Sequence, residues 1–267
     1  MKLNDKVIEQ LMQNLNSQER AYLALASEEI KKDYKAHFIR LFSTLNRRLS
    51  LENREKIISI PNPGDAEMLI IDNWNILRLA RVWLVSLIQD EKEAYFKFID
   101  KLFTYADIQE LVALYSSLSI LDFPEVWQQR CQEGIRNNIG SVQQAIIENN
   151  KYPFYHLPQE AWNQLVLKSF FTEKNILNIY GLFEKNNESL SESIIDYIYE
   201  RDSANREIYA LLWLLAKDNL PPRARKILLK NEVEFLEDIK KLEKKDLMDM
   251  ALKLLEEIKS SSVCVQN

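Results

Sequence analysis

Glycine is scarce in this chain of 267 residues, with four in all, and histidine and cysteine number two each. So little glycine argues against loop-rich sheet folds and against Gly-rich phosphate or dinucleotide loops, and neither fingerprint occurs. The histidines, His37 and His156, lack the preceding Glu of a Glu-x-x-His carboxylate-metal helix, and no His-Glu-x-x-His is present. An Asp-Asp pair is missing too, which excludes the aspartate-rich magnesium runs of helical prenyl-diphosphate enzymes. Cys131 and Cys264 form neither a Cys-x-x-Cys motif nor a disulfide framework. Metal, nucleotide and redox cofactors are therefore not expected. The richest apolar run, IYALLWLLA at 208–216, is about half of what a membrane span needs. Positive charge is not in excess: 35 Lys and Arg face 40 Asp and Glu, for a net −5. Arg223, Arg225, Lys226 and Lys230 lie among acids, so no basic face for nucleic acid is expected.

What remains is 46% hydrophobic and 28% charged, an ordinary globular balance, and it is arranged with helical periodicity throughout. A chain this long buries a sufficient core without metal or disulfide. The opening MKLNDKVIEQLMQ reads as an amphipathic helix rather than a signal peptide, which places the protein in the cytoplasm. The pattern predicts an all-α fold: a multi-helix bundle, or a short irregular solenoid of antiparallel helix pairs. Helices are expected near 4–15, 17–31, 33–46, 66–89, 91–104, 107–120, 123–149 and 158–171. Further ones are expected near 173–184, 189–201, 203–217, 222–230 and 232–258. Asp107 with Glu110, and Ser189 with Glu192, have the spacing of capping boxes. Asp122-Phe123-Pro124-Glu125 offers an N-cap acceptor with proline in the first turn. Pro61-Asn62-Pro63-Gly64 breaks the pattern and marks a hinge.

The polar residues set into apolar helix faces deserve explanation. With Ile135 at zero on a helical wheel, Ile139, Val142 and Ile146 fall within about 40° of it, and Asn138 lies about 60° to one side. Asn149 sits near the same stripe, and Glu133 and Arg136 have the spacing of a flank pair. On the next helix Asn163 falls between Phe170 and Leu167, where a buried amide needs a partner. Two readings stand open. In one, Asn149 and Asn150 cap the helix end and Asn163 braces the 152–157 loop. In the other, Glu133, Arg136, Asn138, Tyr152, Asn163 and Lys168 line a polar pocket for an oxygen-rich or anionic molecule, with Arg136 and Lys168 as charge partners. A second stripe, Asp72, Asn75, Arg78, Arg81, Ser86 and Gln89, crosses an otherwise apolar helix. Arg78 and Arg81 there either clamp an anion or pair with Glu67 or an acid on a neighbouring helix.

Several segments, taken in order, resemble the EboA family. They are DIQELVALY at 107–115, EGIRNN at 133–138, NKYP at 150–153, AWNQLVLK at 161–168 and DYIYER at 196–201. The resemblance is strongest from about 106 to 201. It departs where the family's Asn-Pro-Tyr-Pro is Asn150-Lys151-Tyr152-Pro153, where its Gly-Leu-Asp is Gly181-Leu182-Phe183, and where its Tyr-Ala-His-Glu-Arg-Trp is Tyr197-Ile198-Tyr199-Glu200-Arg201-Asp202. Glu200 and Arg201 are retained as candidate pocket members. The breaker and the charge pattern divide the chain into an N-terminal helical region over 1–64, a helical core over 65–220, C-terminal amphipathic helices over 221–258 and a disordered tail over 259–267, and the resemblance makes the core EboA-like. It also implies a place in a bacterial or plastid gene cluster tied to making or exporting a secondary-metabolite precursor. Companion products there include a UbiA-type prenyltransferase and sugar-modifying enzymes. The expected role is an accessory protein that binds a polar or anionic intermediate or one of those enzymes. The alternative is an enzyme acting on a phosphorylated or prenylated sugar- or cyclitol-like intermediate, with Glu133 as acid or base.

Overall fold

The computed structural model describes residues 3–61 and 68–263, with side chains to residue 261. Asn62, Pro63 and Gly64 of the breaker, Glu67 and Cys264 lie outside the described residues. Fifteen α-helices and one two-stranded ribbon are found among them, so the fold is all-α. The chain divides into two compact units, Met1–Gly181 and Leu182–Asn267.

In the first unit α1 (Asp5–Gln13) and α2 (Ser17–Thr44) lead to the short α3 (Leu51–Glu55). Inside α2, Asp33 leaves helical geometry (φ −158°, ψ 87°), and its carboxylate accepts from Ala36 N, so one element behaves as the two expected helices. Strand β1 (Ile57–Ile58) pairs antiparallel with β2 (Trp74–Asn75). The helix expected from residue 66 therefore begins only at Ile76. Asn75 is extended and its side chain accepts from Arg78 N at 2.7 Å, which makes it an N-cap. Helix α4 (Ile76–Val85) is buried on nearly every side, the signature of a central core helix. Helices α1, α2, α3 and α6 pack around it.

Helix α5 (Lys92–Tyr105) precedes α6 (Ile108–Ser116), which opens with the expected Asp107–Glu110 capping box. The long helix expected over 123–149 is three pieces: a 3-10 turn (Pro124–Trp127), α7 (Gln128–Arg136) and α8 (Gly140–Ile147). Phe123, in the left-handed region, supplies no side-chain cap at the first. Asn137 ends α7 by turning extended, and its side chain takes the Ile139 N–H at 2.7 Å. Helices α9 (Tyr152–His156) and α10 (Gln159–Phe171) follow, and of the helix expected over 173–184 only a 3-10 turn (Ile176–Asn178) forms.

In the second unit α11 (Glu188–Ser203) is capped by Asn187, which accepts from Leu190 N, rather than by Ser189. Helix α12 (Ala210–Ala216) is wholly buried and starts later than expected. After α13 (Pro222–Lys230), the expected last helix is split into α14 (Glu232–Lys241) and α15 (Lys245–Val263) by Glu243 at φ 51°.

One buried carboxylate ties the start of the first unit together. Glu19 is 2% exposed and accepts from Asn16 N (2.9 Å), Ser50 N (2.6 Å) and the Asn53 amide. Burial alone would raise its pKa, but the bonds from Ser50, Asn16 and Asn53 outweigh it and hold the group below the ordinary 4.5. A depressed folded-state pKa contributes stability that is present above the unfolded value and lost as pH falls through the folded one. Glu19→Gln is therefore expected to cost about 1–3 kcal/mol at pH 7. The gap to wild type in urea unfolding should narrow below about pH 4.5. A gap independent of pH would remove the ionised carboxylate from the account.

Candidate functional site

A cavity of about 460 Å³ opens where the start of α4 meets the end of α8. Asp72, Asn73 and Trp74 come from the segment entering α4, and Arg78 from its first turn. Gln144, Glu148 and Asn149 come from the end of α8, and Glu173, Asn175 and Asn178 from the turns after α10. The volume lies within the ~300–1,000 Å³ typical of small-molecule sites, although the lining is unusually polar.

These walls hold one another. Ser59 Oγ donates to Asp72 Oδ1 at 2.7 Å and accepts from Asn73 N at 2.9 Å. Asn149 Nδ2 donates to Asp72 Oδ2 at 3.2 Å, and Asn149 N to the Asn178 carbonyl at 2.7 Å. Glu148 accepts from Asn175 N at 3.1 Å and from Gln144 Nε2 at 3.0 Å. Asn73, Asn149 and Glu173 all have left-handed backbones, at φ 55°, 55° and 52°. Asparagine adopts that region at little cost, whereas for glutamate it is a strained choice that its surroundings must impose.

Arg78 is the cation of the site. Its guanidinium lies 3.9 Å over the buried Trp74 ring, and its Nε donates to Ser116 Oγ at 2.8 Å. Its two Nη groups make no hydrogen bond among the described residues. Burial pushes its pKa down to about 9, with Glu148 opposing the shift, so it stays cationic at neutral pH. Asp72, Glu148 and Glu173 outnumber it, which makes the cavity net acidic.

The residues singled out from the sequence scatter. Arg78 and Asn149 meet in this cavity. Arg81 does not: it is fully buried, 3.8 Å from Glu110 Oε1 and over the Phe42 ring. Arg136 and Lys168 border a shallow apolar surface with Ile135, Leu167 and Phe171, and Lys168 Nζ donates to Asn138 Oδ1 at 3.3 Å. Asn138 is exposed, since the chain break at 137–139 takes it off the wheel on which it was placed. Glu133 pairs with Arg130 (2.9 Å) and accepts from Gln129, rather than meeting Arg136. Tyr152 is buried and donates to the Pro124 carbonyl at 2.6 Å, and burial pushes its phenol pKa up. Asn163 is buried within α10. Glu200 and Arg201 belong to the second unit. There Arg201 donates to Tyr197 Oη and to the Glu207 carbonyl, and stacks on Tyr209. Asn73, Trp74, Gln144, Glu148, Glu173, Asn175 and Asn178 carry no motif in the sequence, and the cue to them is clustered asparagine at chain turns.

The glycine of the EGIRNN segment has a packing role. A Cβ on Gly134 would stand 2.2 Å from Ile146 Cδ1 and 2.6 Å from Tyr115 Cε1, so α7 approaches α8 and α6 only as glycine. Gly134→Ala is expected to destabilise by about 1–3 kcal/mol despite alanine's better helix propensity. Ile146→Val in the same chain should return part of the loss in urea unfolding. An alanine variant as stable as wild type would contradict the close approach.

No described helix is long and apolar enough to cross a membrane, and no cluster of three metal-ligating side chains occurs among the described residues. No curated protein and no solved structure matches the chain. A family model described as metabolite traffic protein EboA matches residues 3–217. That stretch holds the described part of the first unit, with its whole cavity, and α11 and α12 of the second. The chain therefore belongs to the EboA family.

Proposed function

We propose that this chain is a helical accessory protein of a secondary-metabolite pathway. It binds a polar intermediate in the cavity between α4 and α8 and presents it to a partner enzyme in the cytoplasm. The partner is a prenyltransferase or sugar-modifying enzyme encoded beside it. The observation that carries this reading is the cavity itself: ten residues from three distant segments line it, and hydrogen bonds fix Asp72, Arg78, Gln144, Glu148 and Asn149 while three left-handed residues shape its turns. The family description, a metabolite traffic protein, fits a binding role. The enzymatic alternative has less support, because Glu133 is engaged by Arg130 and Gln129 away from this cavity.

A thermal-shift screen with sugars, cyclitols, their phosphates and amino acids tests it. A ligand at a hundred times its Kd adds about 2.7 kcal/mol, or roughly 5–10 °C in a unit of this size. The shift is expected in wild type and in Arg136→Ala, and should vanish in Arg78→Ala and Asn149→Leu, with the ligand recovered unchanged. A shift erased by Arg136→Ala alone would move the site to the α7–α10 surface. Conversion of the ligand would make the protein an enzyme.

A further inference from the structure

We infer that the ligand of this cavity is an uncharged polyhydroxylated ring, and that anionic forms of the same ring, phosphates included, are rejected. The inference rests on the cavity being the binding site, and it adds the chemical class of what enters.

The lining decides the class by its balance of donors, acceptors and charge. Asp72 and Glu148 are acceptors already held in place, Asp72 by the Ser59 hydroxyl and the Asn149 amide and Glu148 by Gln144 Nε2 and Asn175 N. A carboxylate has about four lone-pair sites, so both keep capacity for a hydroxyl donor. The amides of Gln144, Asn149, Asn175 and Asn178 carry both donor and acceptor atoms on the same walls. Arg78, fixed by its Nε bond to Ser116 and its stack on Trp74, is left with its Nη groups to donate. A hydroxyl both donates and accepts, and a vicinal diol spans a planar carboxylate or guanidinium edge with two parallel bonds. This mixture of pinned acceptors, amides and one rigid donor edge is complementary to adjacent hydroxyls.

An anion meets the opposite balance. A phosphate only accepts at neutral pH apart from one titrating proton, so Asp72, Glu148 and Glu173 have nothing to receive from it and repel its charge. Sites that hold phosphates or carboxylates gather several cations or open helix N-terminal amides, whereas at the start of α4 the Arg78 N–H is taken by Asn75 Oδ1 and the Ile76 N–H by the Lys56 carbonyl, and a single guanidinium faces three carboxylates. Trp74 does not alter this, because Arg78 covers its ring and the ring is buried. The walls therefore select against charge by electrostatics and against apolar analogues by their unsatisfied polar groups.

Calorimetry on the full chain tests the inference with inositol, a neutral hexose, the monophosphate of each, and a linear polyamine. At least one neutral ring is expected to bind at least tenfold more tightly than its phosphate. Raising salt should narrow that ratio as the repulsion is screened. The double variant Asp72→Asn, Glu148→Gln keeps the shape and removes two charges. It should lower the neutral-to-phosphate ratio by tenfold or more whatever it does to stability. Tighter binding of the phosphates, lost in Arg78→Ala, would overturn the inference while leaving the cavity as the site. Binding of the polyamine alone would overturn it in favour of a cationic ligand. If no probe binds and a ligand found by other means is insensitive to Arg78→Ala and to the double variant, the cavity reading itself fails.

Discussion

Replacing Asn150 by alanine is expected to cost about 3–5 kcal/mol, because one amide closes four buried hydrogen bonds. Asn150 is 6% exposed and sits just past α8. Its Nδ2 donates to the carbonyls of Ala145 (2.9 Å) and Tyr115 (3.1 Å), and its Oδ1 accepts from Ser119 Oγ (2.9 Å) and Tyr152 N (3.0 Å). Alanine leaves two carbonyls, one N–H and one hydroxyl without their partner, each at a cost of about 1–3 kcal/mol less what relaxation recovers. Asn150→Asp separates the two halves of the amide. The carboxylate keeps both acceptor roles but at neutral pH has no hydrogen for the carbonyls of Ala145 and Tyr115, and it adds a buried charge. It is expected to be no better than alanine at pH 7 in urea unfolding followed by near-ultraviolet dichroism. Asn150→Ala within 1 kcal/mol of wild type would show that other groups take over these four bonds. The effect should also reach the cavity, since Asn149 precedes this anchor and shares its turn.

The parts of the fold legible in the sequence were those decided within one turn of the chain. Asp107 and Glu110 cap α6 by contacts three residues apart, and their spacing predicts it. The breaks were harder because long-range partners decide them. Asn75 caps α4 while Trp74 pairs with Ile58, a contact that 15 intervening residues hide, and the apolar pattern upstream reads as more helix. Residues 137–139 carry helical periodicity, yet the turn made by Asn137 overrides it, so the wheel puts Asn138 beside the buried stripe whereas the structure exposes it. The cavity suffered most. It draws on residues 72–78, 144–149 and 173–178, so no motif of fixed spacing announces it. Arg78 and Asn149 each stand out as polar groups on apolar stripes, but a wheel relates residues only within one helix, and these two reach the cavity from the first turn of α4 and the turn after α8.

Glu110→Ala is expected to cost about 3–5 kcal/mol, through the arginine it leaves behind more than through the cap it removes. Arg81 is fully buried in α4, and among the described residues its Nε, Nη1 and Nη2 form no hydrogen bond. Its counter-charge is Glu110 Oε1 at 3.8 Å, with the Phe42 ring 5.4 Å from the guanidinium. Burial pushes the Arg81 pKa down, and Glu110 and then Asp107 oppose that. Glu110 is better placed, since its other oxygen accepts Asp107 N at 3.0 Å at the positive end of α6. The two halves of the pair are therefore unequal. Without Glu110, an arginine in the core loses its compensation. Without Arg81, the carboxylate keeps its capping bond and the favourable end of the helix. Arg81→Met, of similar length and without charge, is expected to be neutral or to raise Tm, as replacing a buried ion with a packed apolar chain often does. The double variant Arg81→Met, Glu110→Ala should then recover most of what Glu110→Ala alone loses, a coupling that a double-mutant cycle measures directly. If Arg81→Met is instead as damaging as Glu110→Ala, the guanidinium is satisfied in solution by partners beyond Glu110, and the centre of α4 is a polar node.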